Sequence, residues 1–283
     1  MAKIRKIGDH KPNIVIFQGS SRDEDSCPDQ ISKTRKVVNY VLDKWSFAVD
    51  FQLVDLAVNF KKRSVVQPCK GCVSTSSYHC HWACDCYSKN NQKKPDLLHD
   101  QDVYSKLEES DGFLVFSPIH WHAPSSQVKA LFDRLVCANM TLTTEDAKKV
   151  LGEGNLKSSE ITGKLSLEGG SDHLLKNHLS GKFAGFYIHG DAGANDYGRG
   201  KLPDTFSKSE ENSWYSDPKA TIMPQVLQCK YSGIEVPDNI IEAFYTNKNV
   251  PYYQANLDFW ENETFFKRAD RLVENFLQHL ENR

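Results

Sequence analysis

The chain has 283 residues and a formal net charge of −2, with 39% hydrophobic and 25% charged side chains. That composition supports a sizeable core without disulfides or metals, and excludes the low-hydrophobicity, highly charged profile of a disordered chain. The near-neutral balance gives no electrostatic footprint for nucleic acid, and no apolar run approaches the ~18 residues of a membrane span. The opening stretch MAKIRKIGDHKPN is basic but lacks an apolar segment, so it does not read as a secretory signal, and a cytoplasmic location is expected. In that setting the eight cysteines are expected to be thiols, metal ligands or redox groups rather than structural disulfides.

Ile14 to Phe17 form a continuous apolar, mostly β-branched run, the pattern of a strand covered on both faces. Gln18, Gly19, Ser20 and Ser21 end it. Ser32 then suits an N-cap, and Val37, Val38, Val41, Leu42 and Trp45 share one helical face. Phe51 to Leu56 read as a second strand. Residues 59 to 110 are polar, hold five of the eight cysteines and read as an inserted loop. Phe113 to Phe116 are a third strand, which Ser117 and Pro118 are expected to stop. Ser125 suits the cap of a helix with Val128, Leu131, Phe132, Leu135 and Val136 on one face. A second polar insertion covers about 139 to 180, with a short helix expected from Thr144 to Leu151. Phe183 to Ile188 are a fourth strand, followed by His189-Gly190-Asp191-Ala192-Gly193. Residues 194 to 220 read as a long loop, Pro224 to Lys230 as helix, and Ile234 to Tyr245 as holding the last strand. The closing helix is the clearest element: Phe265, Phe266, Ala269, Leu272, Val273, Phe276, Leu277 and Leu280 recur at helical spacing.

Buried strands alternating with amphipathic helices specify an α/β fold with a central five-stranded parallel sheet and helices on both faces. The insertions at 59–110, 139–180 and 194–220 are expected to be loops on one domain spanning 1–283.

Ligands of open α/β sheets bind outside the carboxyl ends of the strands, and a helix N-terminus there attracts anions. The segment from Gly19 to Thr34 runs from the first strand into the first helix. Ser20, Ser32 and Thr34 supply hydroxyls and Arg22 a guanidinium. Both the dinucleotide glycine fingerprint and the Gly-Lys-Ser/Thr phosphate loop are missing, so the segment suits a monophosphate better than a pyrophosphate. The competing reading is a capped helix after an ordinary loop, and Asp23, Glu24 and Asp25 argue for it.

GFLVFSPIHWHAPSSQVKALFDRL carries more information. Ser117, Pro118, His120, Trp121, Pro124, Ser125, Val128, Lys129, Asp133 and Arg134, with Gly19, Ser20 and Arg22 upstream, resemble the NADPH-dependent FMN reductase group of the flavodoxin-like superfamily. The resemblance covers the core, not the insertions. It departs from the group at the length of the first loop and at His120, where Tyr is common. It implies a flavodoxin-like three-layer sandwich and an FMN-binding, NAD(P)H-dependent oxidoreductase of flavin or quinone type. It also implies a small-molecule electron acceptor and a homodimer or homotetramer. Ser20, Arg22, Ser32 and Thr34 would hold the phosphate. Pro118, Ile119, His120 and Trp121 would pass the ring edge, and His189, Gly190, Asp191 and Gly193 would approach its pyrimidine end. A flavin accepts hydride on its own ring, so no general base is required; His120, His122 and His189 are candidate proton donors only. For each histidine the competing reading is a satisfied imidazole, and for Trp121 a packing residue. A non-catalytic flavodoxin-type electron carrier, an iron–sulfur flavoprotein using the Cys69–Cys86 cluster, and a protein that kept the fold without the cofactor are the alternative functions.

Cys69, Cys72, Cys80, Cys84 and Cys86, with His79 and His81 among them, hold the potential ligands of zinc or an iron–sulfur cluster. Placement after the second strand is similar to that in iron–sulfur flavoproteins, but the spacing is not. Free thiols, a metal site and a redox pair all remain open, with free thiols favoured. Cys137 and Cys229 sit in apolar helical patterns and are expected in the core.

Overall fold

Side-chain alternation along β1 (Asn13–Gln18) divides the molecule into two cores. Ile14 and Ile16 enter one and Val15 and Phe17 the other, and all four are fully buried. Period-two alternation sends successive residues to opposite faces, so a strand apolar at every position must be covered on both sides. This computed structural model describes residues 11–22, 31–57, 64–71, 82–84, 86–87, 93–136, 178–190, 218–245 and 263–283.

β1 leads to helix α1 (Lys33–Trp45) and then to strand β2 (Asp50–Asp55). Two short helices follow, α2 (Leu97–Asp100) and α3 (Val103–Glu109), before the long strand β3 (Gly112–His120). β3 turns into the two-residue strand β4 (Ala123–Pro124) and helix α4 (Ser126–Val136). Strand β5 (Phe183–Gly190), a 3₁₀ turn at Pro218–Thr221, helix α5 (Met223–Tyr231), strand β6 (Ile241–Tyr245) and helix α6 (Glu263–Glu281) complete the described elements.

The five main strands pair in parallel in the order β2-β1-β3-β5-β6. This is the flavodoxin-like order, and its switch point lies between β1 and β3. α1 and α6 cover one face: Val37, Val41 and Trp45 meet Phe265, Leu272 and Phe276 there. α3, α4 and α5 cover the other, with Leu107, Leu131 and Val226 in its core. Asp270 ties α1 to α6. It accepts from Tyr40 Oη at 3.0 Å and Trp45 Nε1 at 3.0 Å, and pairs with Lys44 Nζ at 2.7 Å.

Two sequence expectations are corrected. The stretch 59–110 is not loop throughout, because Leu97, Leu98, Val103, Tyr104 and Leu107 are buried on α2 and α3, which return the chain to the sheet. Ser117 and Pro118 do not end β3, which pairs with β5 up to Pro118↔His189 and runs on through His120. Phe116 turns its carbonyl to the amide of Gly19, at 2.7 Å. Two residues later Pro118 turns its nitrogen the same way, toward a side that β1 has already left, so its missing N–H breaks no ladder bond. The last strand lies where expected, within Ile234 to Tyr245, as Ile241–Tyr245. The chain before it makes a bridge from Glu235 to Phe183 and a 3₁₀ turn at Asp238–Ile240. The expected helix from Thr144 to Leu151 lies outside the described residues.

Candidate functional site

The carboxyl ends of β1, β2, β3 and β5 and the N-terminus of α1 meet at one edge of the sheet. Gln18 braces the first loop, its amide oxygen accepting from the Ser20 amide while Nε2 donates to Asp55 Oδ1 at 3.1 Å. Asp55 also pairs with Arg35 Nη2 at 2.5 Å, which fixes α1 to the end of β2. Ser125 locks the first loop to the third: its hydroxyl donates to Gly19 O, and its amide donates to Ser117 Oγ at 3.1 Å. Gly19 fits because it has no side chain. A Cβ there would stand 2.5 Å from Val128 Cγ2 and 2.7 Å from Phe116 O.

Three hydroxyls at this edge share one property. Ser20 Oγ accepts from the Arg22 amide at 3.2 Å. Ser32 Oγ, the N-cap of α1, accepts from the Arg35 amide at 3.1 Å. Thr34 Oγ1 lies 2.9 Å from His189 Nε2. All three residues are buried. In the two serines the oxygen is engaged by a backbone N–H, so the hydroxyl hydrogen is left to donate outward. Hydroxyls beside a helix N-terminus suit an anion, and the chemistry of these residues fits the monophosphate of FMN.

The His189 ring is buried between Phe265 and Phe244, on the α1–α6 face. The parity of β5 sends it inward. Gly190 is a close-packing position, where a Cβ would meet the Tyr245 ring at 2.8 Å and Ile119 Cβ at 3.4 Å. Asp191 and Gly193 lie outside the described residues. Pro118 and Ile119 are strand residues, and Ile119 pairs with Pro124.

Trp121 and His122 form the tip of a tight β3–β4 hairpin closed by the His120–Ala123 pair. Both tip residues have left-handed backbones, with φ of 49° and 63°. Two-residue hairpins favour such turns but usually place Asn or Gly there. The indole is 87% exposed, so Trp121 does not pack beside the helix. Desolvation holds the neighbouring His120 imidazole below its ordinary pKa, which favours its neutral form. Replacing Trp121-His122 by Asn-Gly is expected to raise stability by roughly 1–2 kcal/mol while lowering kcat/KM severalfold. Urea unfolding and steady-state kinetics on one preparation measure both effects. Unchanged turnover would show that the tip takes no part in the reaction.

Arg134, noted in sequence only as part of a helix motif, is fully buried and pairs with Asp96 through Nη1 at 3.1 Å and Nη2 at 2.8 Å. The same guanidinium donates to Gln67 O at 3.1 Å and Tyr104 Oη at 3.0 Å, and lies over the Tyr87 ring. It thus fastens the cysteine-bearing stretch to α4. Cys84 is buried there, and Cys69 and Cys86 are half-buried, all as thiols; Cys72 and Cys80 lie outside the described residues. Among the described residues no group of His, Cys, Asp and Glu forms a metal-binding cluster. Cys229 is fully buried, as expected, and burial pushes its thiol pKa up. Cys137 lies outside the described residues.

Residues 12–152 match the sequence profile of the NADPH-dependent FMN reductases. This part of the chain belongs to that family. The match spans β1 to α4 and so includes both loops of the site. An FMN-dependent NAD(P)H oxidoreductase is the class that the family defines. No curated protein matches the sequence. Among solved structures, RosB with bound 8-demethyl-8-formylriboflavin-5'-phosphate aligns over 96% of this chain and 79% of its own, at 12% identity and TM-score 0.51. An NAD(P)H:quinone oxidoreductase from Methanothermobacter marburgensis aligns over 96% and 99%, at 10% identity and TM-score 0.48. General stress protein 14 of Treponema denticola in complex with FMN aligns over 96% and 99%, at 15% identity and TM-score 0.39. The flavodoxin-like fold of this FMN reductase relative is thus established by its own sheet order and by the likeness to RosB. No helix among its described residues is long and apolar enough to cross a membrane.

Proposed function

We propose that the chain holds FMN at the β1–β3 switch point and moves hydride from NAD(P)H to a small-molecule acceptor of the flavin or quinone class. The observation that carries this reading is the set of buried hydroxyls of Ser20, Ser32 and Thr34 at the N-terminus of α1. The Ser20 and Ser32 oxygens accept from backbone amides, which leaves their hydroxyl hydrogens to serve a phosphate dianion, and Thr34 adds a third hydroxyl in the first turn of the helix.

FMN, when bound, supplies the hydride-accepting ring, so the protein contributes position and electrostatics rather than a nucleophile. Ser125 holds the first and third loops at a fixed separation. Asp55 fixes the start of α1 through Arg35, and with it the direction of the helix dipole. The Trp121 hairpin projects beyond the sheet and presents an exposed aromatic face to an incoming planar substrate. No side chain here is assigned as a general base. His120, whose neutral form desolvation favours, stands beside the hairpin tip and is the side chain we nominate to pass a proton to the acceptor.

Anaerobic stopped-flow mixing of the FMN-loaded protein with NADPH or NADH tests the reading. Bleaching of the flavin band, and its return on addition of a quinone, is expected. A flavin band that neither nucleotide bleaches would leave an electron carrier reduced by another protein.

A further inference from the structure

We infer that His189 is a positioning residue, one that makes Thr34 a hydrogen-bond donor to the cofactor phosphate; the inference rests on the FMN reading above. The imidazole sits at the end of β5, 3% exposed, within an aromatic cage of Tyr187, Phe244 and Phe265. From there Nε2 reaches across to Thr34 Oγ1 at 2.9 Å, in the first turn of α1. A hydroxyl has one hydrogen, so the direction of this bond decides what Thr34 offers the ligand. If Nε2 accepted, the only hydrogen of Thr34 would point into the protein, and a buried lone pair would face the phosphate. With Nε2 donating, Thr34 Oγ1 accepts and turns its hydrogen outward.

The two serines at the same edge are already arranged in this second way, their oxygens accepting from the amides of Arg22 and Arg35. Among the described residues no backbone N–H serves Thr34 Oγ1, and the side chain of His189 performs that task from the end of β5. The assignment also explains the burial of an imidazole among aromatic rings next to an anion site. It is a donor delivered from the core rather than a proton donor to substrate.

The test compares FMN with riboflavin, which has the ring but lacks the phosphate. Fluorescence-quenching titrations use the whole protein and the variants Thr34→Val, His189→Phe, His189→Gln and the Thr34→Val/His189→Phe double. His189→Phe keeps an aromatic ring in the cage but removes the donor, whereas the amide nitrogen of His189→Gln restores one. His189→Phe and Thr34→Val are each expected to weaken FMN by roughly tenfold or more, and the double by no more than the worse single. Riboflavin affinity should stay within about twofold, and His189→Gln should recover most of the FMN affinity, in keeping with a donor effect. Equal losses for riboflavin and FMN, additive losses in the double, or no rescue by glutamine would overturn the assignment. A parent protein that binds neither flavin would instead overturn the FMN reading itself.

Discussion

Gly19→Val is expected to abolish flavin retention and to destabilise the fold by roughly 3 kcal/mol. The position is enclosed by structure that cannot retreat. Its amide donates to Phe116 O at 2.7 Å, and its carbonyl accepts from the Ser125 hydroxyl. Any Cβ falls 2.7 Å from the Phe116 carbonyl oxygen and 2.5 Å from Val128 Cγ2. Backing the loop away would relieve both contacts but would break both hydrogen bonds and shift Ser20. Val128→Ala in the same chain removes the side-chain clash and leaves the backbone clash, so it should restore only part of the stability. Urea unfolding with and without FMN measures the effects. Wild-type flavin binding in Gly19→Val would show that the cofactor does not depend on this loop.

Asp96→Ala is expected to cost about 3–5 kcal/mol, since it strands the Arg134 guanidinium without its counter-ion in a core with no access to water. Both side chains are fully buried. The bidentate geometry, the Gln67 carbonyl and Tyr104 Oη engage Nη1 and Nη2, while Nε has no partner among the described residues. Burial pushes the Tyr104 phenol up, so it stays neutral and adds no second negative charge. Removing both charges with Asp96→Leu and Arg134→Met should be less destabilising than Asp96→Ala alone, because an apolar pair carries no desolvation cost. Chemical unfolding of the three variants gives the ordering. A double variant less stable than Asp96→Ala would mean that the pair contributes more than charge compensation. The cysteine stretch should also become protease-sensitive in Asp96→Ala, since Gln67 and Tyr87 both contact Arg134.

How much of this could be read from the sequence follows from where each signal resides. The main strands were legible because burial on both faces leaves unbroken apolar runs, such as Ile14 to Phe17. α6 was legible because its buried residues recur at helical spacing from Phe265 to Leu280. α2 and α3 were not: four and seven residues are too short to establish a period, and polar, cysteine-rich sequence precedes them. The continuation of β3 past Pro118 depends on where β1 ends, and that is a property of the neighbour.

The site divided along the same line. Ser20, Ser32 and Thr34 were legible as candidates because they are hydroxyls at the start of a helix after a buried strand. Gln18 and Asp55 were missed because their role is a bond spanning 37 residues of sequence, with no local pattern. His189 was identified, but its direction was not. The residue was expected at the rim of the ring, and strand parity turns it into the α1–α6 core to meet a threonine 155 residues away. Arg134 was visible as a motif residue, yet its partner Asp96 lies in a stretch that read as inserted loop.

The central claim is that the hydroxyl-lined edge at the start of α1 holds FMN. Its most direct test is the visible absorption spectrum of the protein after mixing with excess FMN and desalting, set beside that of Thr34→Val. The account predicts a retained flavin band close to one FMN per chain for the parent protein and a marked loss for the variant. A parent protein that emerges colourless, or a variant that retains FMN as well as the parent does, would contradict it.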